Sequence, residues 1–438
     1  MPDSRAAATP ISVARVVAAS FIGTTIEWYD FFLYGTAAAL VFNRLFFPTL
    51  DPVVGTMASF GTYAVGFFAR PVGGVVFGHF GDRMGRKSML VTTLLLMGMA
   101  TFLMGLLPTY DQIGVAAPVL LIVLRFIQGF GVGGEWGGAV LMVVEHGHSG
   151  RRGLNASWVQ AGVPAGSLLA NAVFTLFSTL LPNDAFLRWG WRIPFLFGIG
   201  LLGVGLFIRL QIYESPLFEK LRDRKRQAAI PFFEVLRRYP RNVLLAIGAR
   251  MAENGGFYVF SVFVLTYATT DLALPRTMVL NCLLIATVLQ FVAIPAFGLL
   301  SDVVGRRPVY LGGAFALAAF AFPFFWLVET KSALWIGVGI SIALVSQSAM
   351  YAPQAAFFSE LFGTDVRYTG ASIGYQLASP LAGGLAPLIC VSLLKWADGN
   401  TWGVALYLIL LSAITILSVW LAAETHHTQL ADLDEPAG

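Results

Sequence analysis

The sequence predicts an all-α integral membrane protein with 12 transmembrane helices arranged as two pseudo-symmetric six-helix bundles. Three observations predict it. The 438 residues are 57% hydrophobic and only 12% charged, about half the charged share of an average soluble domain. Apolar runs of about 20 residues, the length that crosses a bilayer at 1.5 Å rise per residue, follow one another along the chain. Finally, GHFGDRMGRK at 78–87 reappears as GLLSDVVGRR at 298–307, an offset of 220 (298 minus 78) in a chain of 438.

The spans are expected at 16–42, 53–78, 88–107, 117–145, 155–181 and 190–211, and again at 242–269, 276–300, 309–328, 333–361, 371–394 and 402–423. They divide the chain into a polar segment 1–15, a bundle 16–212, a central loop 213–240, a bundle 241–423 and a tail 424–438. The first apolar run exceeds the 7–15 residues of a signal-peptide core, so it is expected to be retained. An even number of spans puts both termini on one side. That side carries Arg83, Arg86, Lys87, Arg151, Arg152, Arg237, Arg238, Arg306, Arg307, Arg367 and the run KLRDRKR at 220–226, against Arg44, Arg188, Arg192, Arg276, Lys331 and Lys395 opposite. Basic loops face the cytoplasm, so both termini are expected there. Within the central loop, PFFEVLRRYP has the pattern of a helix lying on the membrane surface.

Two further pairs support duplication. Glu145, followed by Arg151, Arg152 and Ala156-Ser157, matches Glu360 followed by Arg367 and Ala371-Ser372; Glu214-Ser215 matches Glu424-Thr425. Repeated halves with a solute site at their interface are how secondary transporters achieve alternating access.

Several classes are disfavoured. The basic residues sit in short segments between apolar runs, so no nucleic-acid face is expected. Cys282 and Cys390 lie in apolar runs and the five histidines in polar segments, so neither a metal site nor a disulfide framework is expected. Arg86 stands where a phosphate loop needs Gly before Lys. Gly198, Gly200 and Gly203 form a GxGxxG inside an apolar span with no preceding strand, which reads as helix packing by small residues. No cofactor loop or nucleophile–base pair suggests an enzyme.

Ionisable groups inside apolar spans each need a partner or a cavity. Glu27, Asp30 and Tyr34 share one face of span one, and Arg125, Gln128 and Glu135 one face of span four. Arg250, Glu253, Asn254 and Tyr258 mark span seven, and Gln347, Tyr351 and Gln354 span ten. Symmetry would gather spans 1, 4, 7 and 10 around a central cavity. Glu27, Asp30, Glu135 and Glu253 against Arg125 and Arg250 make four negatives to two positives, so at least one carboxylate is expected to hold a proton in part of a cycle. The alternative is that these charges only lock helices together. Arg70, beside Pro71, reads as a structural residue at the loop end of span two. The repeated polar segments suggest a gate built from Asp82, Arg83, Arg86, Glu145 and Arg151, with Asp302, Arg306, Glu360 and Arg367 as counterparts.

GHFGDRMGRK resembles the signature loop of the major facilitator superfamily. IEWYDFFLYG, ARPVGGVVFGHFGDR at 69–83, RFIQGFGVGGEWGGAVLMVVE at 125–145, WRIPFLF and ESPLFE are similar to the pattern of its metabolite/proton symporter family, over nearly the whole chain. That resemblance implies a monomeric carrier in a bacterial inner membrane, importing a small metabolite with protons. The family includes carriers of shikimate, other carboxylates, proline and betaine. Asp30 and Glu135, supported by Glu27 and Glu253, are the expected proton groups. Arg125 and Arg250 are expected either to receive a substrate carboxylate or to be locked to glutamates. Tyr34, Gln128, Asn254, Tyr258, Gln347, Tyr351 and Gln354 would complete the substrate site. A zwitterionic substrate and proton-driven export are the alternative readings.

Overall fold

The computed structural model describes residues 13–50, 52–147, 149–211, 214–215, 218–219 and 231–428. The segment before residue 13, the basic run at 220–226 and the tail from 429 lie outside the described residues. Twelve spanning helices form in the expected order. They are α1 (Val13–Ala37, continued through Ala38–Phe42 and Asn43–Leu45), α2 (Pro52–Met84), α3 (Arg86–Leu106), α4 (Ala116–His146), α5 (Arg152–Leu180) and α6 (Arg192–Leu210). After the short helix Pro231–Arg238 come α7 (Pro240–Tyr258, continued through Val259–Phe263 and Val264–Thr270), α8 (Arg276–Val304) and α9 (Arg306–Glu329). The chain ends on α10 (Ala333–Glu360), α11 (Arg367–Trp396) and α12 (Trp402–Leu421). Among the described residues nine of these are long and apolar enough to cross a bilayer by composition alone. The other three, α1, α2 and α7, carry Glu27 and Asp30, Arg70, and Arg250 and Glu253. Phe207, Trp326 and Trp420 are among the large apolar side chains that face outward, as lipid requires.

The expected ends at 78 and 300 fall short. α2 continues to Met84 and α8 to Val304, so the repeated Gly-Asp-Arg segment is helix rather than loop. The whole turn is one glycine in each half, Gly85 at φ +113° and Gly305 at φ +111°, a conformation that disfavours any Cβ. Apolarity stops at Asp82 and Asp302, but backbone hydrogen bonding does not. α1 and α7 also carry π-turns, Ala38–Phe42 and Val259–Phe263, starting 221 residues apart (259 minus 38), so the duplication extends to a backbone irregularity.

Small residues bring the helices together. A Cβ on Gly73 of α2 would overlap the Phe130 carbonyl of α4, and Cβ atoms on Gly129 and Gly133 would overlap the carbonyls of Gly66 and Arg70. Such close backbone approach is what drives helix association in lipid. The GxGxxG reading holds for one glycine only. Gly198 abuts Asp30 and Thr101, whereas a Cβ on Gly200 or Gly203 would meet nothing.

The halves meet along α2 with α11 and α5 with α8. At the second of these joints a Cβ on Gly298 would overlap Ser157, and one on Gly153 would overlap Arg306.

Candidate functional site

Two pseudo-symmetric polar clusters join the halves at the face that carries the termini. Asp82, in the last turn of α2, accepts the backbone N–H groups of Tyr368 and Thr369 at 3.1 and 2.9 Å, in the first turn of α11. Asp302, at the end of α8, accepts those of Gly153 and Leu154, both at 2.8 Å, in the first turn of α5. Each aspartate thus caps a helix of the opposite half, where the exposed N–H groups and helix dipole favour an anion. Beside them, Glu145 lies 3.6 Å from Arg86 of its own half and 3.2 Å from Arg367 of the other, and accepts the Ser215 hydroxyl. Glu360 repeats this with Arg306 at 3.3 Å, Arg152 at 3.8 Å and Thr425 at 2.6 Å.

Glu214 and Glu424 complete the pattern by accepting the first N–H groups of α3 and α9. Burial pushes the Glu424 carboxyl up, but backbone N–H donors from Arg307, Arg306, His426 and Thr425 hold it below the usual carboxylate range. Two expected gate residues are exposed. Arg151 is exposed in the turn Ser149–Arg151, and its neighbour Arg152 makes the cross-half pair instead. Arg83 is on the exposed side of the last turn of α2.

Deeper in the membrane a second constellation is shut off from solvent. Arg70, Arg125 and Arg250 are 1%, 0% and 2% exposed, and Glu27 and Glu253 are 2% and 3%. Arg70 is a correction to the sequence reading. It sits within the continuous helix α2, which runs on through Pro71, and its guanidinium lies 4.3–5.3 Å from the rings of Phe31, Phe67 and Trp28. Arg125 approaches Phe31 too, at 4.5 Å, with Tyr34 at 4.3 Å and Tyr63 at 4.7 Å, and donates to Gln128. Arg250 lies 3.0 Å from the centroid of Tyr375, pairs with Glu253 at 3.8 Å and donates to Gln354 at 3.2 Å. On all three, guanidinium N–H groups remain without a hydrogen-bond partner: Nε and Nη2 of Arg70 and of Arg125, and Nε of Arg250.

The neutral residues divide by role. Gln347 donates to Glu253 at 2.8 Å and accepts from Gln290 at 2.9 Å, while Gln354 donates to Tyr310 at 2.7 Å. Tyr34 donates to Thr62 at 2.6 Å, and Asn254 reaches the Ala378 carbonyl at 3.4 Å. Tyr258 meets Phe67 edge to face across the halves, with ring centroids 5.4 Å apart. Tyr351 faces Tyr375, hydroxyl to hydroxyl, at 3.4 Å.

The acidic residues differ in their partners. Glu135 pairs with Arg209 of α6 and Thr93 of α3. Asp30 lies beside Thr101 of α3 and Gly198 of α6, and its Oδ1 has no hydrogen-bond partner. Arg209 stands one residue from the end of its span, where a lone arginine ordinarily reaches for the interface, so its sequence position does not mark it as a buried partner. With Arg70 and Arg209 counted, the buried acidic groups Glu27, Asp30, Glu135 and Glu253 are matched in number by four arginines rather than two. An open cleft lies elsewhere, about 1050 Å³ of mainly apolar space between the starts of α1 and α5.

Comparison with known proteins agrees with this architecture. The Major Facilitator Superfamily model matches residues 20–387. The shikimate transporter of Escherichia coli (strain K12) is 44% identical over 409 residues, covering 92% of this chain and 93% of that protein. The inner membrane metabolite transport protein YhjE of the same organism is 41% identical, covering 96% and 97%. Its proline/betaine transporter is 33% identical, covering 95% and 84%. Among solved structures, the proton:xylose symporter XylE bound to 6-bromo-6-deoxy-D-glucose superposes with a TM-score of 0.76 at 17% identity, over 96% of this chain and 98% of that one; this shows the fold. The twelve helices, the paired polar clusters at one face and these matches together make the chain a multi-pass membrane transporter that belongs to the major facilitator superfamily, in its metabolite/proton symporter family.

Proposed function

We propose that this transporter takes up a small organic anion together with protons across the inner membrane, with both termini in the cytoplasm. One observation carries the reading: Arg70, Arg125 and Arg250 are buried yet keep guanidinium N–H groups without partners. A buried donor left unpaired costs about 1–3 kcal/mol, and more when charged. Such groups are tolerated where a ligand pairs them, and a carboxylate matches the planar guanidinium fork. The rings of Phe31, Tyr63, Phe67 and Tyr258 would face the carbon skeleton.

The balanced charge set supplies a reason for coupling. A monoanion entering it leaves one negative charge in excess, and a proton on a carboxylate cancels that excess. Asp30, with no cation bonded to it, is the proposed proton carrier. Glu27, within electrostatic reach of Arg70, and Glu253 assist it. Glu135 is assigned to holding α4 against α6 through Arg209. The excess of basic residues beside the termini supports their cytoplasmic placement, and the similarity to a shikimate transporter favours an organic acid.

The test is uptake of radiolabelled shikimate, 2-oxoglutarate, proline and betaine into proteoliposomes under an inward proton gradient. An anion that accumulates with the gradient and leaks out on adding a protonophore is the expected result. Accumulation of proline or betaine alone would move the reading to a zwitterion carrier, and solute extrusion against proton entry would make the protein an exporter. Asp30→Asn should lose accumulation while keeping solute exchange; unimpaired accumulation would remove Asp30 from the scheme.

A further inference from the structure

The stretch GGEWGG, Gly133 to Gly138 of α4, is the surface on which the first half of α11 docks. The carbonyl of Gly133 accepts from Gln376 at 3.1 Å, and that of Gly134 from the Tyr368 hydroxyl at 2.6 Å. A Cβ on Gly137 would overlap Ser372 Oγ, and one on Gly138 would press on Tyr368 Oη at 2.6 Å. These glycines therefore let a helix of the other half lie against the α4 backbone.

One large side chain of that stretch reaches α11. The Trp136 indole stacks on the Tyr375 phenol with ring centroids 3.7 Å apart and planes 13° from parallel. Its Nε1 donates to Gln160 at 2.7 Å, and Gln160 donates in turn to the Tyr351 carbonyl of the other half at 3.0 Å. The guanidinium of Arg250 lies 3.0 Å from the centroid of the same Tyr375 ring. An indole and a guanidinium at these distances cannot share one face of a phenol. Tyr375 is therefore clamped between Trp136 of the first half and Arg250 of the second.

We propose that Tyr375 is the residue through which an anion arriving at Arg250 loosens the seal between α4 and α11. The inference rests on Arg250 belonging to the anion site. A carboxylate pairs with the unpartnered Nε of Arg250 by a charge-assisted bond, stronger than the attraction of a guanidinium to a ring face. Drawn toward the anion, the guanidinium leaves Tyr375. The ring is then held from the Trp136 side alone, and α11 can part from α4 at the face that carries the termini. Tyr375 is a positioning residue: it is assigned no contact with the solute.

The test places a reporter inside the seal. Ser372→Cys is made in protein whose Cys282 and Cys390 are replaced by alanine, and its alkylation by a small maleimide is timed in detergent, with no solute added. Arg250→Gln, which withdraws the cation as an anion would, and Tyr375→Leu are each expected to speed alkylation about thirtyfold, the population change from losing one desolvated cation–π contact. Tyr375→Phe keeps the ring and should stay slow. Hydrogen exchange across 368–376, without the reporter cysteine, should accelerate in the same two variants. Wild-type rates for Arg250→Gln in both measurements would overturn the proposal, as would wild-type rates for Tyr375→Leu. Fast alkylation of Arg250→Gln with undiminished anion uptake would instead retire Arg250 from the anion site and leave the clamp standing.

Discussion

Arg70 and Arg125 both approach the ring of Phe31, at 4.3 and 4.5 Å, and each keeps two guanidinium nitrogens without a hydrogen-bond partner. A ring face offsets part of the desolvation of a guanidinium without using its in-plane donors, so the fork stays ready for a carboxylate. Lysine carries the same charge but has no planar fork. Arg70→Lys and Arg125→Lys should each weaken binding of an organic anion about ten- to a hundredfold, with little change in melting temperature, as read by titration calorimetry on purified protein. A fall in melting temperature with unchanged affinity would assign that arginine to packing. The sequence made Arg125 legible, because Gln128 and Glu135 share its helix face. It hid Arg70, because a following proline suggests a helix end and here the helix runs through. Arg209 was hidden for a different reason: its partner Glu135 lies 74 residues earlier in the chain, and no period links α6 to α4.

At the scale of the helix, order and number were legible from apolarity, while ends and contacts were not. The glycines illustrate why. Gly73 and Gly200 look alike in the sequence, each inside an apolar run, yet a Cβ on Gly73 would overlap the Phe130 backbone and one on Gly200 would meet nothing. Which glycine is a contact depends on where a neighbouring helix crosses, and that crossing is set by the other helix. Gly73→Ala should force α2 from α4 and lower the melting temperature markedly, by an amount in the range of overpacking penalties, about 1–3 kcal/mol or more since backbone rather than side chain must move. Gly200→Ala, lipid-facing in a helix, should be neutral or slightly stabilising, since alanine is the better helix former. Equal melting temperatures for the two variants in the same detergent would contradict the packing described. The π-turns in α1 and α7 were likewise invisible, because inserting one residue into a turn leaves the mean apolarity of a span unchanged.

Over the whole molecule the duplication was the most legible feature, and the paired polar clusters are where it shows. The spacing of Gly, Asp and Arg repeats because both copies do the same thing: each aspartate caps a helix of the opposite half. What the repeat could not reveal was the partner, since Asp82 and the Tyr368 amide are 286 residues apart. The symmetry has a mechanical consequence. Both caps lie at one face and both are made at once, so each holds the halves together while the other is broken. A hydrogen bond to a charged acceptor is worth about 1.5–3 kcal/mol, and each cap has at least two. Asp82→Asn or Asp302→Asn alone should therefore shift the closed population modestly. The double variant should open it by more than the product of the single effects, because neither cap is then left to hold the halves while the other is broken. Spin labels at Phe80→Cys and Val303→Cys, exposed positions near the ends of α2 and α8, read the separation in protein whose native cysteines are replaced. A longer distance in the double variant, with only small changes in the singles, is the expected pattern. An unchanged distribution in the double variant would mean that the Glu145 and Glu360 clusters close this face without the aspartates.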